Sequence, residues 1–234
     1  MTTEETGVLA LVGGAEWREG GQKFDAGLLE AAGTDEVLVL PTAAAYESPH
    51  RAVEFARAYF EGLGGRVTGL MVLGRSDAEE EANAAAVRQA RFIYIGGGSP
   101  LHLRSVLKGS LLWEALLEAW REGAVLAASG AGAMVLCDPM VDPRGGAYTV
   151  GLGLIANLSV FPHHDTAQAH LKARSIELRP EGATLVGIDE QTALIREGDG
   201  SWRVAGAGAV TLYGPGPAQV EAYGADSVIS TLKM

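Results

Sequence analysis

Short apolar runs alternate with amphipathic segments along most of the chain. Each run has the length of one buried strand, and the segments between the runs carry apolar residues at helical spacing. Residues 49–63 show this best, because Val53, Ala56 and Phe60 recur every three or four positions, Pro49 occupies a favoured helix start and Gly64 a favoured stop. The pattern predicts helices over 20–32, 49–63, 76–90, 100–107, 110–121 and 166–178, and strands over 7–14, 36–40, 66–73, 92–95, 124–127, 158–161 and 184–188.

The order of these elements predicts the fold class. Continuous apolar strands separated by helices of about ten to fifteen residues are typical of a parallel sheet covered on both faces. Residues 192–213 read instead as antiparallel strands that turn at Gly198 to Gly200. We therefore expect an α/β fold: a three-layer α/β/α sandwich with a mostly parallel central sheet and a small antiparallel C-terminal hairpin. No repeat or linker divides the sequence, so residues 1–234 are expected to form a single domain.

Three predicted strands end in runs of small residues, at Gly13–Gly14, Gly96–Gly98 and Ser129–Gly132. In parallel sheets, sites form in the loops beyond the carboxyl ends of the strands, so these runs should share one edge. The third run lies within AVLAASGAGAM (124–134), a strand, a tight turn and a helix in succession, which is typical of a nucleophile elbow. The apex of this elbow is Gly130, which has no side chain that could attack a substrate.

Composition narrows the range of functions mainly by exclusion. The net charge of −11 argues against nucleic acid as a partner. No apolar run approaches the roughly 18 residues of a transmembrane helix, so no membrane association is expected. The polar N-terminus and the single cysteine, Cys137, favour a cytoplasmic protein. We expect neither a metal ion nor an organic cofactor.

Five motifs in consistent order resemble the serine peptidase family that includes dipeptidase E and cyanophycinase. The resemblance extends from LALVGG near the N-terminus to the hairpin near residue 210, and it implies a class I glutamine amidotransferase-like fold. It also implies hydrolysis of a small peptide or amide by an attacking serine. The motifs are IGGGSPLHL (95–103), ASGAGAM (128–134), VDPRGG (141–146), PHHD (162–165) and GIDEQTAL (187–194).

The resemblance places a glycine where the family has its nucleophile. The family's elbow reads Gly-x-Ser-Ala-Gly-Ala, and alignment on the final Ala-Gly-Ala puts the serine position at Gly130. Ser129, one residue earlier, should point to the opposite face of its strand and pack beneath the helix. Cys137 lies two helical turns beyond the apex and is expected to be a small buried hydrophobe. His163 matches the family's general base, whereas its neighbour His164 lacks the motif match.

The third member of the catalytic group is open between two aspartates. Asp138 and Asp142 both follow the elbow helix, where the resemblance implies a carboxylate that orients His163. An ordinary turn is the alternative for Asp142, because Pro143 follows it.

The resemblance also implies an oxyanion hole and an acidic contact. The amides of Gly97 or Gly98, together with that of Ala131, would stabilise the negative oxygen of a tetrahedral intermediate. Asp189 and Glu190 match an acidic pair common in the family. One of them is expected to face the substrate pocket, and Glu190 is our candidate. The alternative is that the pair forms only a salt bridge at a strand end.

Two function classes follow from these observations. The first is a hydrolase of small peptides or amides whose serine is exchanged for glycine in this chain, so that the chain as written is inactive. The second is a natural non-catalytic relative that binds a peptide-like ligand in the inherited pocket. The presence of His163 favours the first class. In both, the expected partner is a small peptide or amide, and the sequence leaves a homo-oligomer open.

Overall fold

Between residues 9 and 136, each strand is followed by one helix or by two successive helices, in the order that the apolar pattern predicts. The computed structural model describes residues 6–214 and 219–232. No helix within these ranges is both long and apolar enough to span a membrane. The helices are α1 (Gln22–Ala32), α2 (Pro49–Glu61), α3 (Arg75–Ala78), α4 (Glu81–Gln89), α5 (Pro100–Leu107), α6 (Leu111–Arg121), α7 (Ala131–Leu136) and α8 (Ala169–Glu177).

The strands that follow α7 are shorter and more numerous than the apolar runs suggest. In chain order the strands are β1 (Leu9–Val12), β2 (Glu36–Leu40), β3 (Arg66–Gly69), β4 (Phe92–Ile95), β5 (Val125–Ser129), β6 (Cys137–Asp138), β7 (Met140–Val141), β8 (Tyr148–Thr149), β9 (Ile155–Ala156), β10 (Leu158–Phe161), β11 (Thr184–Ile188), β12 (Thr192–Arg196), β13 (Trp202–Gly206), β14 (Val210–Tyr213), β15 (Val220–Tyr223) and β16 (Val228–Ile229).

A large central sheet has the strand order β16-β13-β12-β1-β5-β4-β2-β3. Strands β1, β5, β4, β2 and β3 lie side by side in that order and pair in parallel. On the other side of β1, strands β12, β13 and β16 extend the sheet through antiparallel pairs. A second, four-stranded sheet has the order β10-β11-β14-β15. The predicted mostly parallel sheet is confirmed, and the antiparallel part is larger than one hairpin.

The central sheet separates two apolar cores. On β5, Leu126 and Ala128 face the core that includes the apolar residues of α4 to α7, while Val125 and Ala127 face the core under α1 and α2. Successive strand residues point to opposite faces, so every residue of this strand is buried. The predicted three-layer α/β/α arrangement is confirmed.

The predicted helix over 76–90 is divided in two. Ser76, where the predicted helix begins, lies inside α3, and the N-cap residue is Gly74. Asp77 Oδ2 accepts hydrogen bonds from the amides of Leu73 and Gly74 at 2.8 and 2.9 Å. These bonds hold residues 73–74 in a turn, and β3 ends earlier than predicted, at Gly69. The acidic pattern shows helical propensity but does not reveal this local capping.

Candidate active site

The turn between β5 and α7 has the geometry of an elbow. Gly130 sits at its apex with φ 50° and ψ −107°, a backbone conformation that residues with a Cβ adopt only with strain. Strand and helix cross closely here, since a Cβ added to Gly132 would lie 3.0 Å from the carbonyl oxygen of Ile95 in β4. The small residues of ASGAGAM are therefore a packing requirement of the turn.

The apex faces the imidazole of His163. An ideal Cβ built on Gly130 would lie 3.8 Å from His163 Nε2 and 3.9 Å from the Cα of Gly97, both ordinary contact distances. There is room for a small side chain at residue 130. A hydroxyl on that Cβ would reach hydrogen-bond distance of Nε2, about 2.6–3.2 Å, in a rotamer aimed at the ring.

His163 is held in place from both sides. It follows β10, and its amide donates to the carbonyl of Gly13 at 2.7 Å. Its backbone φ of 52° lies in the left-handed region, which is uncommon for residues other than glycine and is often found at functional sites. The ring lies against Gly14, where any Cβ would overlap it. The glycine run that ends β1 therefore makes space for the histidine.

Glu190 is the carboxylate that orients His163. Its Oε1 lies 2.7 Å from His163 Nδ1 and also accepts a hydrogen bond from Thr166 Oγ1 at 3.2 Å. The amide of Glu190 donates to Asp165 Oδ1 at 3.0 Å, which fixes the backbone of this residue. With Nδ1 donating to the carboxylate, Nε2 faces Gly130 as a proton acceptor, the arrangement that a general base requires.

Neither predicted aspartate forms a hydrogen bond with His163 in the described part of the chain. Asp138 Oδ1 instead accepts a hydrogen bond from the amide of Gly151 at 2.8 Å. Asp142 forms two side-chain bonds with Arg144, at 2.9 and 2.6 Å. Those bonds lower the pKa of Asp142 and hold its carboxylate in the local turn. The orienting role expected for Asp138 and Asp142 is therefore corrected. Glu190, which was expected to contact the substrate, forms a hydrogen bond with His163 instead.

Strand pairing explains this correction. β10 and β11 are parallel neighbours, with Phe161 opposite Gly187. The residues just past the two strands therefore meet at one edge of the second sheet, which brings His163 beside Glu190. A sequence signal for this exists in the motifs PHHD and GIDEQ, each of which follows an apolar strand.

The expected oxyanion loop is held by a residue that the sequence analysis did not single out. Glu16, just past the glycine run after β1, accepts a hydrogen bond from the amide of Gly97 at 2.8 Å. The other oxygen of the same carboxylate accepts one from the hydroxyl of Ser129 at 2.8 Å. Glu16 thus joins the glycine loop to the strand before the elbow. The only sign of this role in the sequence was that Glu16 follows a strand whose end was expected at the same sheet edge as the elbow.

This arrangement changes which amides are free to bind a ligand. The Gly97 amide is occupied by Glu16, but none of the hydrogen bonds within residues 6–214 and 219–232 uses the amide of Gly98. The amide of Ala131 opens α7 and has no partner within the helix. Of the amides predicted for the oxyanion hole, those of Gly98 and Ala131 can donate hydrogen bonds to a carbonyl oxygen.

Comparison with known proteins identifies the family of this chain. The family model for peptidase family S51 matches residues 9–203. The chain belongs to peptidase family S51. This confirms the resemblance to the family of dipeptidase E and cyanophycinase.

Individual S51 relatives align over most of the chain. The chain is similar to cyanophycinase from Synechococcus elongatus, with 28% identity over 221 residues that cover 89% of this chain and 68% of the relative. It is 27% identical over 223 residues to cyanophycinase from Trichormus variabilis, covering 90% and 74% of the two chains. A solved peptidase structure from an acI-B1 Actinobacterium has a TM-score of 0.87 and 31% identity, and the match covers 97% of this chain and 98% of the other.

The remaining nucleophile candidates in this S51 chain are both fully buried. Ser129 is fully buried and its hydroxyl is bound by Glu16. Cys137 is also fully buried, as expected, and burial raises the pKa of its thiol well above the ordinary value, so the thiolate does not form at neutral pH.

His164 forms a second histidine–acid pair, with Asp189. Its Nδ1 lies 3.3 Å from Asp189 Oδ1, and its Nε2 lies 2.8 Å from the hydroxyl of Tyr213. Burial lowers the pKa of His164 below its ordinary value. Both ring nitrogens are used within the second sheet, so this pair stabilises the fold beneath His163. Among the described residues, no group of three or more His, Cys, Asp or Glu side chains is arranged to hold a metal ion.

Proposed function

We propose that this S51 chain keeps the site of a serine hydrolase for small peptides or amides with Gly130 at the nucleophile position. In its present form it binds such ligands and does not hydrolyse them by serine attack. The observation that carries this proposal is the elbow apex, where the Cβ position of a glycine faces His163 Nε2 at 3.8 Å. The occupied hydroxyl of Ser129 and the buried thiol of Cys137 support the absence of a substitute.

Each other part of the reaction has a residue in this site. With serine at residue 130, the hydroxyl proton would pass to His163 Nε2 as the oxygen bonds to the carbonyl carbon. The amides of Gly98 and Ala131 would hold the resulting oxyanion, and His163 would give the proton to the amine as the C–N bond breaks, which leaves an acyl ester on residue 130. Water that gives its proton to His163 would then attack this ester, and His163 would return that proton to the serine oxygen as the acid leaves. Glu190 would stabilise the imidazolium in both halves of the reaction. Without the hydroxyl, the same groups hold a carbonyl compound but form no bond to it.

The test is to replace the glycine and measure hydrolysis. Gly130→Ser should release product from a dipeptide panel and from p-nitrophenyl acetate, whereas the wild-type chain should not hydrolyse the peptides. The control Gly130→Ser/His163→Ala should lose the gained activity, and Gly130→Ser/Ser129→Ala should keep it. A folded Gly130→Ser protein that hydrolyses neither peptides nor the ester would overturn the hydrolase site. Peptide turnover by the wild-type chain that disappears in Ser129→Ala would show that Ser129 is the nucleophile.

A further inference from the structure

An apolar cavity opens directly beside His163. Its volume is about 190 Å³, and its walls come from four separate elements: α7, β7, β10 and α8. Met134, Val141 and Phe161 contribute buried apolar side chains, with exposures of 4%, 2% and 7%, and Leu171 closes the side formed by α8. Because His163 also lines this cavity, a ligand held at residue 130 would place a neighbouring group at its mouth.

The size of the cavity matches a single side chain. An apolar protein cavity of about 150 Å³ is large enough to bind benzene. A volume of about 190 Å³ therefore accepts a side chain of the size of leucine, methionine or phenylalanine.

The charges around the cavity oppose an acidic side chain. None of the described residues that line the cavity is lysine or arginine. Apart from His163, the one ionisable residue among them is Asp142. The bonds to Arg144 lower the pKa of Asp142, so its carboxylate is ionised at neutral pH. The nearby Lys172 donates to the carbonyl of His164 at 3.1 Å. An aspartyl side chain would lose its hydration here and gain no cation in return.

We propose that this cavity receives an apolar side chain next to the amide bond held between Gly130 and His163. The ligands of this chain are then small peptides that carry leucine, methionine or phenylalanine at that position, and aspartyl peptides bind poorly. This inference rests on the proposed function, because it takes the amide of the ligand to lie at the elbow.

Calorimetric titration of the wild-type chain with matched dipeptides tests the preference. Leu-Ala and Ala-Leu are compared with Asp-Ala and Ala-Asp, so that the varied side chain lies on either side of the bond. The better leucyl peptide should bind about tenfold or more tightly than either aspartyl peptide, as burial of a leucine side chain predicts. Equal affinities, a preference for an aspartyl peptide or no binding of any peptide would overturn the inference.

Two variants with side chains of increasing size test whether this cavity is the source of the leucyl preference. Ala167 lines the cavity and is partly exposed, so Ala167→Leu and Ala167→Trp should fill the space without unfolding the chain, and Ala167→Ser is the matched control that leaves it open. The preference should persist in the serine variant, shrink with leucine and vanish with tryptophan. A preference that survives both filling variants would show that another surface carries it.

The two proposals fail in different ways. Methyl acetate has no group large enough to fill the cavity, so its hydrolysis by Gly130→Ser reports on the elbow, His163 and the amides alone. Ester hydrolysis by Gly130→Ser, together with loss of the leucyl preference in Ala167→Trp, supports both proposals. A leucyl preference without ester hydrolysis would contradict only the hydrolase site.

Discussion

The elbow backbone should make any side chain at residue 130 costly to stability. At φ 50° and ψ −107°, a residue with a Cβ carries strain of about 1–3 kcal/mol. Exchange of glycine also restricts the unfolded chain, which offsets about 0.4–1 kcal/mol. The nearest atoms to the added Cβ lie at 3.8 and 3.9 Å, so steric overlap adds nothing. Gly130→Ala should therefore lower the free energy of unfolding by about 1–2 kcal/mol.

The comparison of Gly130→Ala with Gly130→Ser separates strain from the new hydroxyl. A hydrogen bond from that hydroxyl to His163 Nε2 would return about 0.5–1.5 kcal/mol, so the serine variant should be the more stable of the two. In Gly130→Ser/His163→Ala this advantage should disappear. Urea unfolding at constant pH, followed by circular dichroism, gives each value. If Gly130→Ala is as stable as the wild-type chain, the apex carries no strain and the reasoning is wrong.

Two further predictions concern carboxylates. In the Gly130→Ser protein, Glu190→Gln should lower kcat for the ester by on the order of 10²–10⁴, since the orienting charge behind His163 is lost; steady-state kinetics measure this, and an unchanged kcat would exclude Glu190 from the site. Burial raises the pKa of Asp25 from 3.8 to about 8. Between those pH values the folded chain keeps a proton that the unfolded chain has lost, so Asp25 makes stability fall as pH rises, by at most about 1.4 kcal/mol per pH unit, and the loss is complete above about pH 8. Asp25→Asn should flatten that dependence in urea unfolding between pH 5 and 8, and parallel curves for the two proteins would contradict the assignment.

Local patterns in the sequence were sufficient to predict the framework of the fold. The helix that begins at Pro49 and the elbow around Gly130 depend on periodicity, Pro and Gly signals and small residues, all of which act over a few neighbouring positions. The Cβ position of Gly130 lies 3.8 Å from His163 Nε2, although Gly130 follows β5 of the central sheet and His163 follows β10 of the second sheet.

The partner of His163 could not be predicted in the same way. Glu190 reaches the histidine because β10 and β11 pair in a second sheet, and this contact joins residues 27 positions apart. The aspartates favoured from sequence are bound by groups nearer to them: Arg144 lies two residues after Asp142. Charge partners within a turn are visible in a sequence, whereas pairing between strands that lie far apart in the sequence is not.

The carboxylate of Glu16 has a consequence for the thermodynamics of binding. By holding the Gly97 amide and the Ser129 hydroxyl at once, it orders the glycine loop against the elbow strand before any ligand arrives. A ligand that enters this site does not have to immobilise the loop, so less of its interaction energy is lost to ordering. Under the proposed function, this ordered loop contributes to the affinity for a carbonyl compound whether or not residue 130 carries a hydroxyl. Selection of a ligand is then separate from its hydrolysis.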